Sequence, residues 1–213
     1  MTFLLLYYIT DRKQFPGNEP ERRERLLEKI AEAVQRGIDY IQLREKDLSG
    51  RELEDLAREA AQMIRTSGSK TQLLINSRTD IALAVGADGV HLRSGDISPK
   101  DVRKIWREAN GAKDPVVAVS CHTEAEVIGA KQSGADFVVF GPVFEKSELA
   151  EIHVAGLQGM RSACRHDIPV LALGGVTLTN AHSCVEAGAA GIAGIRLFQK
   201  NEIEEMVKTL RRL

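Results

Sequence analysis

Gly86-Ala87-Asp88-Gly89-Val90 sets a helix-ending glycine directly against the start of an apolar run. The pattern returns as Gly37-Ile38-Asp39-Tyr40-Ile41, Gly134-Ala135-Asp136-Phe137-Val138 and Gly188-Ala189-Ala190-Gly191-Ile192, at intervals of 49, 48 and 54 residues. Glycine in this place closes a helix in the left-handed conformation that other residues resist, and a strand follows at once. The interval is two β/α units long, so four copies imply eight strands.

Eight short apolar runs meet that expectation, at residues 3–9, 39–43, 72–75, 89–92, 116–120, 137–140, 169–173 and 191–195. They alternate with helix-patterned segments, which implies parallel pairing through right-handed crossovers. The reading is a single (β/α)8 TIM barrel, one domain over residues 1–213. An open doubly wound sheet is the rival, but it usually carries fewer strands at this length. Helix starts agree with the count. Ser49 with Glu52 and Thr123 with Glu126 form capping boxes, Ser98 precedes a proline at the first helical position, and Asn201 opens the last helix.

Composition narrows the class. The 213 residues are 43% hydrophobic and 28% charged, as in ordinary globular proteins. A net charge of -1 gives no reason to expect nucleic acid or an acidic membrane surface as partner. The apolar run at residues 3–9 is too short to cross a membrane, and Asp11-Arg12-Lys13 follow it without a cleavage signature. Three widely spaced cysteines, Cys121, Cys164 and Cys184, argue against a disulfide framework and fit a cytoplasmic location. Cys121 reads as a buried, inert thiol. The five histidines show no metal-ligand spacing.

In such a barrel the active site forms at the C-terminal ends of the strands. Those ends supply Thr10-Asp11, Arg44 and Lys46, Asn76-Ser77, Arg93, Ser94 and Asp96, Ser120-Cys121-His122, Gly141-Pro142-Val143-Phe144, Gly174-Gly175-Val176 and Gly194-Ile195-Arg196. In Ile41-Gln42-Leu43-Arg44-Glu45-Lys46-Asp47, the residues Gln42, Arg44 and Lys46 lie at spacing two and share one face of an extended chain. Two cations there suit an anion such as a phosphate; the alternative is an ion pair with neighbouring acids. Gly174 and Gly175, ahead of a helix capped near Thr177 or Thr179, permit close backbone approach to a phosphate, with Gly194 and Arg196 alongside. The alternative is a tight turn. His122 stands in a strand-end loop, where an imidazole can exchange protons near neutral pH. His91, within a strand, and His166 and His182, on outer segments, read as structural.

These residues bring a resemblance with them. The chain resembles the thiamin phosphate synthase and TenI superfamily over essentially its whole length. The similarity is carried by Leu6-Tyr7-Tyr8-Ile9-Thr10-Asp11, Gln42-x-Arg44-x-Lys46, Ile75-Asn76, the ALAVGADGVHL run ending at Leu92, Ser120-Cys121-His122-Thr123, Gly134-Ala135-Asp136 with Phe140-Gly141-Pro142-Val143-Phe144, and Leu173-Gly174-Gly175-Val176. The resemblance implies a barrel acting in thiamin biosynthesis. Synthases of the superfamily join an aminopyrimidine pyrophosphate to a thiazole phosphate with Mg2+ on the pyrophosphate. It implies that Gln42, Arg44, Lys46 and Asn76 surround the pyrimidine pyrophosphate, and that Asp96 meets the metal. Gly174, Gly175, Gly194, Ile195 and Arg196 would hold the thiazole phosphate, with Ser120 among the substrate-binding residues.

The chain also departs from the synthase pattern. Asn-Asp after strand 3 is here Asn76-Ser77, and Ser77 with Asp80 reads as a helix cap. A hydroxyl is a much poorer Mg2+ ligand than a carboxylate. The Thr-x-Thr-Lys pyrophosphate clamp is replaced by Glu145-Lys146-Ser147-Glu148-Leu149, and the small Val-Ser pair of strand 8 by Ile195-Arg196. A diphosphate leaving group needs its charge neutralised. The departures therefore favour a TenI-like thiazole tautomerase with His122 as acid and base and no cofactor. A divergent, Mg2+-dependent synthase is the second reading. The third is a non-catalytic barrel that binds thiazole or thiamin phosphates as a regulator. Each reading takes small phosphorylated ligands and leaves a homo-oligomer open.

Overall fold

The computed structural model describes residues 4–110, 114–145 and 154–213. Eight strands, β1 (Leu5–Ile9), β2 (Tyr40–Leu43), β3 (Gln72–Asn76), β4 (Gly89–Leu92), β5 (Val116–Cys121), β6 (Phe137–Phe140), β7 (Val170–Ala172) and β8 (Gly191–Gly194), pair in parallel and in sequence order. β8 returns to β1, with Leu5 opposite Gly191 and Tyr8 opposite Gly194, and closes a single (β/α)8 TIM barrel. The helices are α1 (Glu19–Gln35), α2 (Gly50–Ser67), α3 (Thr79–Val85), α4 (Pro99–Asn110), α5 (Glu124–Gln132), α6 (Gly156–Ala163), α7 (Ala181–Glu186), α8 (Arg196–Gln199) and α9 (Ile203–Leu210). None is long and apolar enough to cross a membrane among the described residues.

The repeated glycine acts as its spacing predicts. Gly37, Gly86, Gly134 and Gly188 all take positive φ, between 66° and 99°. The aspartate two residues on has a second task. Asp39, Asp88 and Asp136 each accept a hydrogen bond from a backbone amide near the start of the preceding strand, Leu6, Leu73 and Val117, at 2.6 to 2.9 Å. The repeat thus staples neighbouring strands at the N-terminal end of the barrel. The fourth copy carries Ala190 instead and keeps only the backbone bond, to Val170 O.

Alternation along the strands makes two cores. Tyr7, Ile9, Leu74, Ala118, Phe137, Val139, Leu171 and Ala193 fill the barrel interior. Their neighbours in sequence, such as Leu6, Tyr8, Ile75, Val117 and Val138, pack outward against the helices.

The capping boxes at Ser49 and Thr123 form, and Asn18 with Glu21 supplies another at α1. Ser98 accepts from the Asp101 amide at 3.2 Å, so it caps α4. Asn201 does not open α9: that helix begins at Ile203, while the Asn201 side-chain Nδ2 donates back to Leu197 O in α8. Nor does Ser77 cap α3, which begins after Arg78 without a side-chain cap bond. The helix expected near Thr177 or Thr179 starts one residue later, with Asn180 in the capping position but without a side-chain cap bond. Asn180 closes a turn there by accepting from the Thr177 amide and donating to Gly175 O, and α7 begins at Ala181.

Candidate active site

A cavity of about 1400 Å³ opens at the C-terminal ends of the strands. Gln42, Arg44, Lys46, Asn76, Ser120, His122, Gly174, Gly175, Gly194, Ile195 and Arg196 all line it, so the strand-end residues converge. Asp96 does not. It lies on a smaller adjoining pocket with Arg93 and Ser94, which line both.

The segment after β2 is sorted by alternation. Arg44 and Lys46 face the cavity. Glu45 and Asp47 turn the other way, to Arg12, whose guanidinium lies 3.1 Å from Glu45 and 2.8 Å from both Asp47 oxygens. Arg12 and Glu45 are buried. Burial pushes the Glu45 carboxyl above its ordinary range, against hydrogen bonds from Thr10 and Arg12. Arg12 holds Asp47 well below that range. The acids of this stretch are therefore occupied by Arg12 and leave the cations to the cavity. Among the described residues neither Arg44 nor Lys46 forms a salt bridge. The Lys46 ammonium lies below its usual range because Arg44, then burial, then Arg93 all oppose its charge. Such a cluster of like charges favours an anionic ligand.

The cavity floor is a hydrogen-bonded chain. Gln42 Nε2 donates to the Tyr7 hydroxyl at 3.1 Å, Tyr7 meets His91 Nδ1 at 3.0 Å, and His91 Nε2 meets Ser120 Oγ at 2.7 Å. The tautomer follows from the Gln42 donor. The Tyr7 proton goes to Nδ1, Nε2 carries the imidazole proton to Ser120, and the Ser120 proton is left for an acceptor in the cavity. His91, read from its strand position as structural, is thus part of the site. Strand β4 is buried on both sides, so hydropathy gives no sign of which residues face inward.

His122 Nδ1 contacts Gly141 O at 2.5 Å, which puts the proton on Nδ1 and makes Nε2 the acceptor. Cys121 is buried beside it, and burial pushes its thiol up to about 12, so it is inert near neutral pH.

Gly174 and Gly175 have φ of 92° and 65°. A Cβ on Gly174 would lie 2.5 Å from Pro142 Cβ, and one on Gly175 would lie 2.7 Å from Phe144 O. The segment after β6 therefore requires both glycines. Among the described residues no backbone acceptor takes the amides of Gly174, Gly175 or Val176, all three of which line the cavity. The tight turn therefore forms, and it leaves these three amides without a backbone acceptor. Of the replacement for the pyrophosphate clamp, Glu145-Lys146-Ser147-Glu148-Leu149, Glu145 lines the cavity, while residues 146–149 lie outside the described residues, as does His153.

The magnesium ion implied by the resemblance is poorly matched by the side chains present. One Asp96 oxygen accepts from the Ser77 hydroxyl at 2.6 Å and the Arg93 amide at 2.8 Å. The other accepts from the Arg93 guanidinium at 3.0 Å. Burial opposes the Asp96 charge, but these donors outweigh it and hold the carboxyl below its ordinary value. Ser77, at a φ of 58°, gives its proton to Asp96 and accepts from Asn76 Nδ2 at 3.3 Å. No group of three or more His, Cys, Asp or Glu side chains suited to a metal occurs among the described residues.

The family model described as thiamine monophosphate synthase matches residues 6–198. A thiamine-phosphate synthase of Caldanaerobacter subterraneus subsp. tengcongensis is 35% identical over 209 residues, covering 97% of this chain and 92% of its own. The corresponding protein of Clostridium novyi is 36% identical, covering 96% of each chain. Among solved structures, a thiamine phosphate pyrophosphorylase from Pyrococcus furiosus superposes with a TM-score of 0.79 at 30% identity, covering 98% of this chain and 94% of that one. With the barrel, the strand-end cavity and these matches all spanning nearly the whole sequence, the chain belongs to the thiamine monophosphate synthase family.

Proposed function

We propose that this chain couples an aminopyrimidine diphosphate to a thiazole phosphate. The observation that carries the reading is that one cavity is lined by cations on one side and, on the other, by paired glycines whose amides meet no backbone acceptor among the described residues. Arg44, Lys46 and Arg93 belong to the β2–β4 side, and Gly174, Gly175 and Arg196 to the β7–β8 side. In an eight-stranded ring β3 faces β7 and β4 faces β8, so the two walls stand across the barrel mouth. A coupling reaction needs two phosphorylated substrates held face to face. The methylene–oxygen bond of the diphosphate ester breaks, the diphosphate leaves with the bonding pair, and the thiazole nitrogen forms the new C–N bond. Cations on the first wall stabilise the charge that develops on the leaving group. On the floor, Ser120 offers a proton and Gln42 Oε1 an acceptor, a pairing suited to the ring nitrogen and amino group of a pyrimidine.

The synthase names of the relatives support coupling over the tautomerase that the sequence departures favour. His122 supports the tautomerase as a second reading, because its Nε2 is the acceptor and it lines the cavity, as a proton-transfer base requires. Mass spectrometry separates the two. With aminopyrimidine diphosphate and thiazole phosphate, the protein should form thiamin phosphate over many turnovers, and Arg44→Gln should lower kcat/KM by about tenfold to a hundredfold, the worth of a charge-assisted hydrogen bond. No coupled product, together with isomerisation of a thiazole carboxylate phosphate that His122→Ala abolishes, would establish the tautomerase instead.

A further inference from the structure

The cavity carries a cation beside the carboxylate that the resemblance assigns to a metal. Arg93 lines the main cavity beside Arg44 and Lys46, and it also borders the pocket that contains Asp96. Its backbone amide and guanidinium both bond Asp96, at 2.8 and 3.0 Å. A guanidinium carries five N–H donors, so one held this way keeps donors for a second anion. Mg2+, by contrast, is usually held by one or two carboxylates with substrate phosphates completing its shell. Here the carboxylate that could serve is engaged by Arg93 and Ser77 on both oxygens, and Ser77 contributes a hydroxyl already used as donor and acceptor.

We infer that Arg93, anchored by Asp96, bridges that carboxylate to the diphosphate, and that this chain binds the diphosphate without a divalent cation. The inference rests on the diphosphate reading of the β2–β4 wall. It adds a specificity residue, Arg93, and replaces the metal with a side chain. Arg93 is 63% exposed, so its pair with Asp96 is a weak, solvent-screened one that an incoming diphosphate can share. Ser77 fits the same arrangement. A second carboxylate at that position would add negative charge beside Asp96 and call for a dication to offset it, whereas a hydroxyl needs only the guanidinium.

The test is calorimetric titration of the full-length protein with inorganic pyrophosphate, once in EDTA and once in Mg2+. The two dissociation constants should agree within about threefold, and Arg93→Gln should weaken binding in EDTA by about tenfold or more. Ser77→Asp should weaken binding in EDTA and restore it in Mg2+. Binding by the wild type only in Mg2+ would overturn the inference while leaving the diphosphate reading intact. Wild-type affinity in Arg93→Gln would overturn Arg93 as the bridge. Absence of binding in both buffers would overturn the inference and the diphosphate reading together.

Discussion

His91 is the residue on which burial acts most plainly. Both ring nitrogens are used, toward Tyr7 and Ser120, and burial, reinforced by the Arg44 charge, pushes the imidazole down to about 3. The folded protein therefore keeps His91 neutral where an unfolded chain, titrating near 6.5, takes up a proton. Stability from this group is complete above that value and falls as pH drops below it, until the folded histidine itself protonates. Between pH 7 and pH 5 the loss should be about 2 kcal/mol relative to His91→Gln, compared as slopes of urea-unfolding free energies against pH. Parallel slopes would show that His91 protonates equally in both states. Nothing in Val90-His91-Leu92 announces this role, because its partners come from β1 and β5. Ser77 imitates a cap for a related reason. Its spacing to Asp80 fits one, but a tertiary partner 19 residues away, Asp96, takes the hydroxyl and the backbone goes left-handed. Local spacing alone cannot report a contact between strands.

Among the elements, strands were the most legible. All eight runs match their strands within two residues at each end, the usual latitude of a boundary. The glycine repeat was legible because φ > 0 is a demand of the backbone at one position, independent of distant partners. Gly37 and Gly89 separate that demand from a packing one. A Cβ on Gly37 meets nothing within 4 Å, so Gly37→Ala should cost only the conformational penalty of about 1–2 kcal/mol. A Cβ on Gly89 would lie 1.8 Å from Val116 O, so Gly89→Ala must push β4 and β5 apart. Thermal melts of the two variants should show a modest decrease for the first and a much larger one, or failure to fold, for the second. Equal decreases would contradict this division. The helix ends at Asn180 and Asn201 were less legible, since an asparagine can finish a turn as readily as start a helix.

At the scale of the whole molecule, the barrel converts residues far apart in sequence into two opposed walls. The strand-end rule gathers Arg44, Lys46, Asn76, Ser120, His122 and the glycine turn, but not His91, Gln14 or Lys200, which also line the cavity; nor does it point to Tyr7, which bonds His91, or to Arg12, which turns Glu45 and Asp47 aside. It also placed Asp96 in the cavity, whereas that side chain faces the adjoining pocket under Arg93. Strand order indicates which ends meet but not how a side chain beyond the strand turns. For the proposed coupling, both walls must accept anions at the same time. Titration of inorganic pyrophosphate into protein already saturated with thiazole phosphate, compared with titration into the unliganded protein, measures this. Two separate walls predict binding within about threefold of the unliganded value, since ligands at distinct sites compete only through weak, screened repulsion. A pyrophosphate affinity that falls in proportion to the thiazole phosphate concentration would mean one shared anion site, and a coupling reaction could not take place in it.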